Sequence, residues 1–141
     1  GTNYPVRVPS SGTNYSYWAS FGLYADTAPS GTIDNIKFYT DGSNDLGTGI
    51  NENVATATSY VQATGTEGTT GDELTTTNYS SLNASPSDAF AYTESSPLSV
   101  AGSTSSTGDF GDLIVAQMAI SDTASAGSSA SESMNVSYDE T

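Results

Sequence analysis

Apolar and polar residues alternate with a period of two along most of this chain, which predicts β-strands. The clearest stretch is residues 15–24, and its first face carries Tyr15, Tyr17, Ala19, Phe21 and Leu23. Residues 33–40 and 54–63 repeat the pattern. We find no segment with the 3.6-residue apolar period of an amphipathic helix. The pattern therefore predicts a chain built from strands.

One run differs from the others because it is apolar on both faces. Residues 113–120 are interrupted only by Gln117, so we expect a central strand that is covered on both sides. A further strand is predicted at 133–138. The segment between these last two strands, DTASAG at 122–127, resembles in composition the segment between the first two, DTAPSG at 26–31. We expect each of these connectors to close a hairpin.

Six to eight strands, frequent turn residues and the absence of helical periodicity predict an all-β fold. The expected architecture is an antiparallel β-sandwich, either immunoglobulin-like or jelly-roll. With 141 residues, nine Tyr, four Phe and one Trp, the chain has enough apolar mass for one packed core. We therefore predict an extended N-terminal arm over residues 1–13 and a single sandwich domain over residues 14–141.

Charge restricts the functions that this chain can perform. It contains two basic residues, sixteen acidic residues, no histidine and no cysteine, and its formal net charge is -14. Histidine and cysteine supply the usual general bases, thiolate nucleophiles and transition-metal ligands, so we expect no enzyme. Such an acidic chain repels nucleic acid and anionic lipid, and its apolar runs are too short to span a membrane. We therefore expect the chain neither to bind nucleic acid nor to insert into a membrane.

The polar surface also suggests a location. Ser, Thr and Asn dominate it, and lysine is nearly absent, which favours a secreted protein at a cell or virion surface. The closing stretch, an apolar strand followed by DTASAGSSASESMNVSYDE, resembles the last hairpin of extracellular immunoglobulin-like modules in prokaryotic surface and fimbrial proteins. This resemblance covers about thirty residues and implies the same fold and location. The chain departs from many such proteins because it has no LPxTG signal and no cysteine pair.

The N-terminal arm is the most suggestive segment for assembly. Its apolar residues Tyr4, Val6 and Val8 alternate with Pro5, Arg7 and Pro9. Prolines exclude a central strand but suit an edge strand. We expect the arm, through Tyr4, Val6, Arg7 and Val8, to add to a neighbouring subunit, with Arg7 facing acids there. The alternative is that the arm pairs with its own domain.

Two further kinds of site are candidates. Asp41, Asn44 and Asp45 place oxygen ligands around a glycine, which suits a structural calcium ion, although an ordinary Asp-Gly turn is the alternative. We expect no other cofactor. Asn78 and Asn14 begin glycosylation sequons, so glycans are candidate covalent modifications.

The leading hypothesis is a non-catalytic structural subunit of an extracellular homomeric filament or surface assembly. In this interpretation the N-terminal arm contacts a neighbouring subunit, and an open polymer results. The alternative is a carbohydrate-binding module or a virion decoration or fibre domain, which would stack Trp18 and exposed tyrosines on sugars.

Overall fold

The computed structural model describes residues 6–141, and its regular structure is almost entirely β-strand. In chain order the strands are β1 (Thr13–Tyr15), β2 (Ala19–Ala25), β3 (Ile33–Tyr39), β4 (Ile50–Ala57), β5 (Gly65–Thr66), β6 (Thr70–Gly71), β7 (Ser87–Asp88), β8 (Leu98–Val100), β9 (Gly108–Ser121) and β10 (Asn135–Glu140). One turn of 3₁₀ helix occupies Ala89–Ala91. Within residues 6–141 no helix is long and apolar enough to cross a membrane.

The strands form two antiparallel sheets that pack face to face. The large sheet has the order β5-β6-β1-β9-β4-β7, and β2 also pairs with β9. The small sheet has the order β10-β3-β8. The expected all-β sandwich is therefore confirmed.

Strand β9 is the centre of the large sheet. It has 14 residues and pairs with β4 along one side and with β1 and then β2 along the other. Apolar residues cover both of its faces, as the sequence predicts. Between the sheets lie Ile36, Phe38, Val54, Ala89, Val100 and Ile114, whereas Trp18, Ala57, Leu74, Tyr79 and Val115 form a second cluster.

The strand predicted over residues 15–24 is divided in the structure. β1 ends at Tyr15 and β2 begins at Ala19. Between them Trp18 is buried, with its ring centroid 5.4 Å from that of Tyr79, and its Nε1 donates to the carbonyl of Val61 at 2.8 Å. The interruption therefore places a large aromatic ring in the second cluster.

The two connectors do not close hairpins, so that prediction is wrong. β2 pairs with β9 in the large sheet, whereas β3 pairs with β10 in the small sheet. Both connectors cross from the large sheet to the small one. Ala25, at the end of β2, lies opposite Gly108, and Ser121, at the end of β9, lies opposite Thr13. The two crossings consequently lie at opposite ends of the molecule.

The C-terminal residues pack against the first connector. The Glu140 carboxylate accepts hydrogen bonds from the amide of Ser30 at 2.7 Å, from its hydroxyl at 2.8 Å and from the amide of Gly31 at 3.3 Å. These bonds lower the pKa of Glu140. Gly31 is required by this close approach, because a Cβ there would overlap the backbone of Thr141.

Candidate functional site

Exposed apolar side chains concentrate at the edges of the sandwich. Seven large hydrophobic residues are exposed in the described part of the chain. Six of them lie on β2 and β10 or just before these strands, namely Tyr17, Phe21, Tyr24, Met134, Val136 and Tyr138. Edge strands of soluble proteins usually carry charges or prolines that block further pairing. Strand β2 carries exposed aromatic residues and no charged residue, whereas β10 carries Val136 and Tyr138 followed by the acidic Asp139 and Glu140.

Both strands also present an unpaired backbone edge. Among residues 6–141, β2 pairs only with β9, and β10 pairs only with β3. Each strand therefore has one row of N–H and C=O groups that no strand within residues 6–141 satisfies. A further strand could add to either row.

Register shows which way the edge side chains face. Residues that lie opposite each other in an antiparallel pair project from the same face of the sheet. Leu23 lies opposite Phe110, and Val136 lies opposite Phe38, whose side chain belongs to the cluster between the sheets. Leu23 and Val136 therefore face the space between the two sheets.

A cavity of about 380 Å³ opens at this point between β2 and β10. We call it the edge groove, and its lining residues are Leu23, Tyr24, Ala25, Asp26, Thr27, Ile33, Ile36, Phe110, Val136 and Tyr138. The lining is mostly apolar. Asp26 is the acidic residue within it, and its side chain is exposed. The groove can therefore receive apolar side chains together with one positive charge.

The N-terminal arm leaves the domain at the other end of the molecule. Tyr4 lies outside the described residues. Val6 and Val8 are half-buried and Arg7 is exposed, so the alternation seen in the sequence persists over residues 6–8 but not at Pro9, which is half-buried too. Residues 6–12 form no strand, and the carbonyl of Arg7 accepts a hydrogen bond from the Asn14 side chain at 2.9 Å. The arm is thus held near the start of β1.

The calcium candidates close turns in their own loop. Asp41 accepts a hydrogen bond from the amide of Ser43 at 2.9 Å, and Asn44 accepts one from the amide of Leu46 at 3.1 Å. Asp45 is exposed, and its amide donates to the Glu132 carboxylate. No group of three metal-ligating side chains occurs in the described range. The turn geometry gives the calcium prediction no support.

The two sequon asparagines differ in access. Asn78 is exposed in the loop after β6, and its side-chain amide donates to the carbonyl of Glu73 at 2.8 Å. Asn14 is half-buried within β1, where its amide donates to Arg7. Asn78 is therefore the more accessible of the two, and glycosylation stays a prediction.

Trp18 does not lie where the carbohydrate-binding alternative needs it. Its side chain is 6 % exposed and its indole N–H is already bonded within the domain. It cannot stack on a sugar from solvent, so this part of the expectation is wrong. Among the described residues, the aromatic side chains classed as exposed are instead Tyr17, Phe21, Tyr24, Tyr60 and Tyr138.

Comparisons of this chain with protein families, curated proteins and solved structures find no match. The resemblance of its closing residues to immunoglobulin-like surface modules therefore stays a prediction. Function has to be inferred from the edge groove and the N-terminal arm themselves.

Proposed function

We propose that this chain is a non-catalytic structural subunit of an extracellular homomeric filament or surface assembly. Its N-terminal arm contacts a neighbouring subunit. The observation that supports this function is the edge groove, an apolar opening between two strands whose outer backbone edges pair with no other strand in the described part of the chain. An opening of this kind is completed when another polypeptide covers it.

The apolar edges give the assembly its driving force. Phe21 is 53 % exposed and Tyr138 is 57 % exposed, although both lie on strands that could pair further. Burial of apolar surface contributes roughly 25 cal/mol per Å². In an isolated subunit these side chains stay in water. A neighbouring subunit that covers both edges buries them, and the assembly gains this free energy.

The charge of the chain makes such contacts selective. With a net charge of -14, two subunits repel each other wherever acidic surfaces meet. Only a contact that buries apolar surface against apolar surface, or that brings a cation against those acids, is favourable. The arm, which carries Val6, Arg7 and Val8, meets both conditions. Assembly should accordingly strengthen when salt screens the remaining repulsion.

A carbohydrate-binding function remains the second candidate because of one observation. Tyr17 and Tyr24 are 51 % and 64 % exposed, and aromatic rings with a polar tip suit stacking on sugars. In the assembly a neighbouring subunit would cover these rings, whereas in a carbohydrate-binding protein a sugar would cover them. Tyrosine fluorescence that responds to a glycan while the protein stays monomeric would favour this candidate.

Assembly by the purified chain tests the proposed function. We expect the 141-residue protein to form particles larger than a monomer as its concentration rises, seen by light scattering and negative-stain electron microscopy. A variant lacking residues 1–8 should stay monomeric because it lacks the arm that contacts the neighbour. β1 begins only at Thr13, so the deletion removes no strand. Thermal unfolding of this variant controls for folding. A 141-residue chain that stays monomeric at millimolar concentration would overturn the proposal.

A further inference from the structure

We infer that the edge groove of one copy receives residues 6–8 of a second copy, with Arg7 paired to Asp26, in a head-to-tail arrangement. This inference rests on the proposed function and specifies its interface. The donor is the N-terminal arm, and the acceptor is the space between β2 and β10.

The arm of the same chain does not reach this groove. Thr13 pairs with Ser121 at one end of β9, whereas the groove lies at the other end, where Ala25 pairs with Gly108. Twelve residues separate Thr13 from Ala25, a span of about 40 Å for strands. Arg7 lies six residues before Thr13 and extends at most about 20 Å from it. The occupant therefore comes from another molecule.

The chemistry of residues 6–8 fits the groove. Val6 and Val8 project to one side of an extended segment, which suits the apolar lining contributed by Leu23, Phe110 and Val136. Arg7 projects to the other side of the segment. Its long side chain reaches the exposed mouth of the groove, where Asp26 is the lining carboxylate. A guanidinium and a carboxylate can form two parallel hydrogen bonds.

The flanking prolines limit how the segment pairs. Pro5 and Pro9 lack backbone N–H groups, whereas Val6, Arg7 and Val8 each have one. These three residues can add to the unpaired edge of β2 or β10, and pairing stops at either proline. The segment spans about 10 Å, which is a short strand. Its length matches a local groove rather than a whole sheet edge.

Placement of donor and acceptor at opposite ends determines the kind of assembly. Each copy would offer its arm at one end and its groove at the other. Such contacts are heterologous, so they join copies in one direction and produce an open fibre unless the rotation closes a ring. A symmetric dimer would not give this one-directional assembly.

An exchange of charges tests the Arg7 to Asp26 pair. We expect Arg7→Asp and Asp26→Arg each to raise the concentration at which assembly begins by about tenfold, since a contact worth 1.4 kcal/mol corresponds to that factor. The double variant should restore assembly to within about threefold of the wild-type chain. Glu94→Arg is the matched control, because Glu94 is exposed and lies outside the groove lining.

The outcomes separate this inference from the proposed function. If the wild-type chain assembles but the double variant assembles no better than either single variant, the pairing is wrong while the structural function stands. If the wild-type chain never assembles, the proposed function fails as well. Loss of assembly in Glu94→Arg equal to that in Asp26→Arg would show that the effect is not specific to the groove and would overturn the pairing.

Cross-linking tests where the arm lies. The chain has no cysteine, so a Val6→Cys and Val136→Cys double variant carries the only thiols. A short bis-maleimide should give a ladder of covalent oligomers. The matched control, Val6→Cys with Tyr60→Cys, should give little ladder, because Tyr60 is exposed but lies outside the groove lining. Internally linked monomers, a product that ends at the dimer, or no product in assembled protein would each overturn the inference.

Discussion

The side-chain amide of Gln117 donates a hydrogen bond to the carbonyl oxygen of Ser16, 2.8 Å away, at the point where β1 ends. The same amide donates to the carbonyl of Asp72 at 2.8 Å, and its oxygen accepts from the amide of Leu74 at 2.6 Å. Gln117 is 1 % exposed. One buried polar residue of the central strand thus forms hydrogen bonds with three backbone groups that lie outside the regular pairing of the strands.

Replacing Gln117 by leucine should strongly destabilise the fold. Gln117→Leu keeps similar volume but leaves the backbone groups of Ser16, Asp72 and Leu74 without their partner. Each unsatisfied buried group costs about 1–3 kcal/mol, so we expect a loss of about 3 kcal/mol in the free energy of unfolding. Urea denaturation measures it. Met118→Leu in the same strand is the control and should cost below about 1.5 kcal/mol. Equal losses in the two variants would contradict the assignment.

In the large sheet, the local pattern of the sequence predicts the strands but not the interruption between β1 and β2. Alternation correctly predicted that Phe21 and Leu23 share a face and that residues 113–120 form a central strand, because periodicity is a local property. Where the first strand is divided, Gln117 bonds to Ser16, which lies 101 residues earlier. A contact at that separation leaves no local signal.

The edge groove could not be predicted from the sequence for a related reason. The connector at 26–31 shows that the chain turns, but it does not show whether the next strand joins the same sheet. Phe21 and Val136 lie on strands that the sequence predicts, but the order of those strands, which leaves both residues at the edges, is not a local property. The arm, in contrast, could be predicted from the sequence, because the alternation of Val6 and Val8 with Pro5, Arg7 and Pro9 is a local pattern.

The contribution of Glu52 to the free energy of unfolding should be less favourable at neutral pH than in acid. Burial raises its pKa above the ordinary value of 4.5, and the nearby carboxylate of Glu132 raises it further. The folded state therefore binds a proton more readily than the unfolded state. The resulting stability is fully present below pH 4.5 and is lost as the pH rises through the raised pKa.

Glu52→Gln should remove this dependence on pH. Because Glu52 is only half-buried and water screens its charge, we expect a gain of about 0.5 kcal/mol at pH 7. The gain should shrink below pH 4.5, where the glutamate is already protonated. Thermal unfolding at several pH values measures it, with the exposed Glu94→Gln as control. A Glu52→Gln variant less stable than the wild-type chain at pH 7 would contradict the sign.

Tyr79 and Ser20 should show a measurable coupling. Their hydroxyl groups are 3.0 Å apart, and Tyr79 is fully buried beneath the ring of Trp18. Tyr79→Phe and Ser20→Ala each remove one hydroxyl of the pair. A double-mutant cycle in urea should give a coupling energy of about 1 kcal/mol. Purely additive losses would show that the two hydroxyls do not interact.

Val136→Lys should block assembly without weakening the subunit. Val136 is 45 % exposed on β10, so a lysine there can extend into solvent, and the free energy of unfolding should change by about 0.5 kcal/mol or less. In an assembly the same lysine would put a charge into the groove, as edge strands of monomeric proteins do to prevent pairing. Light scattering should therefore show monomers for Val136→Lys at concentrations where the wild-type chain assembles. Tyr60→Lys adds the same charge at another exposed position and should leave assembly intact, and equal inhibition by both variants would exclude a specific role for this edge.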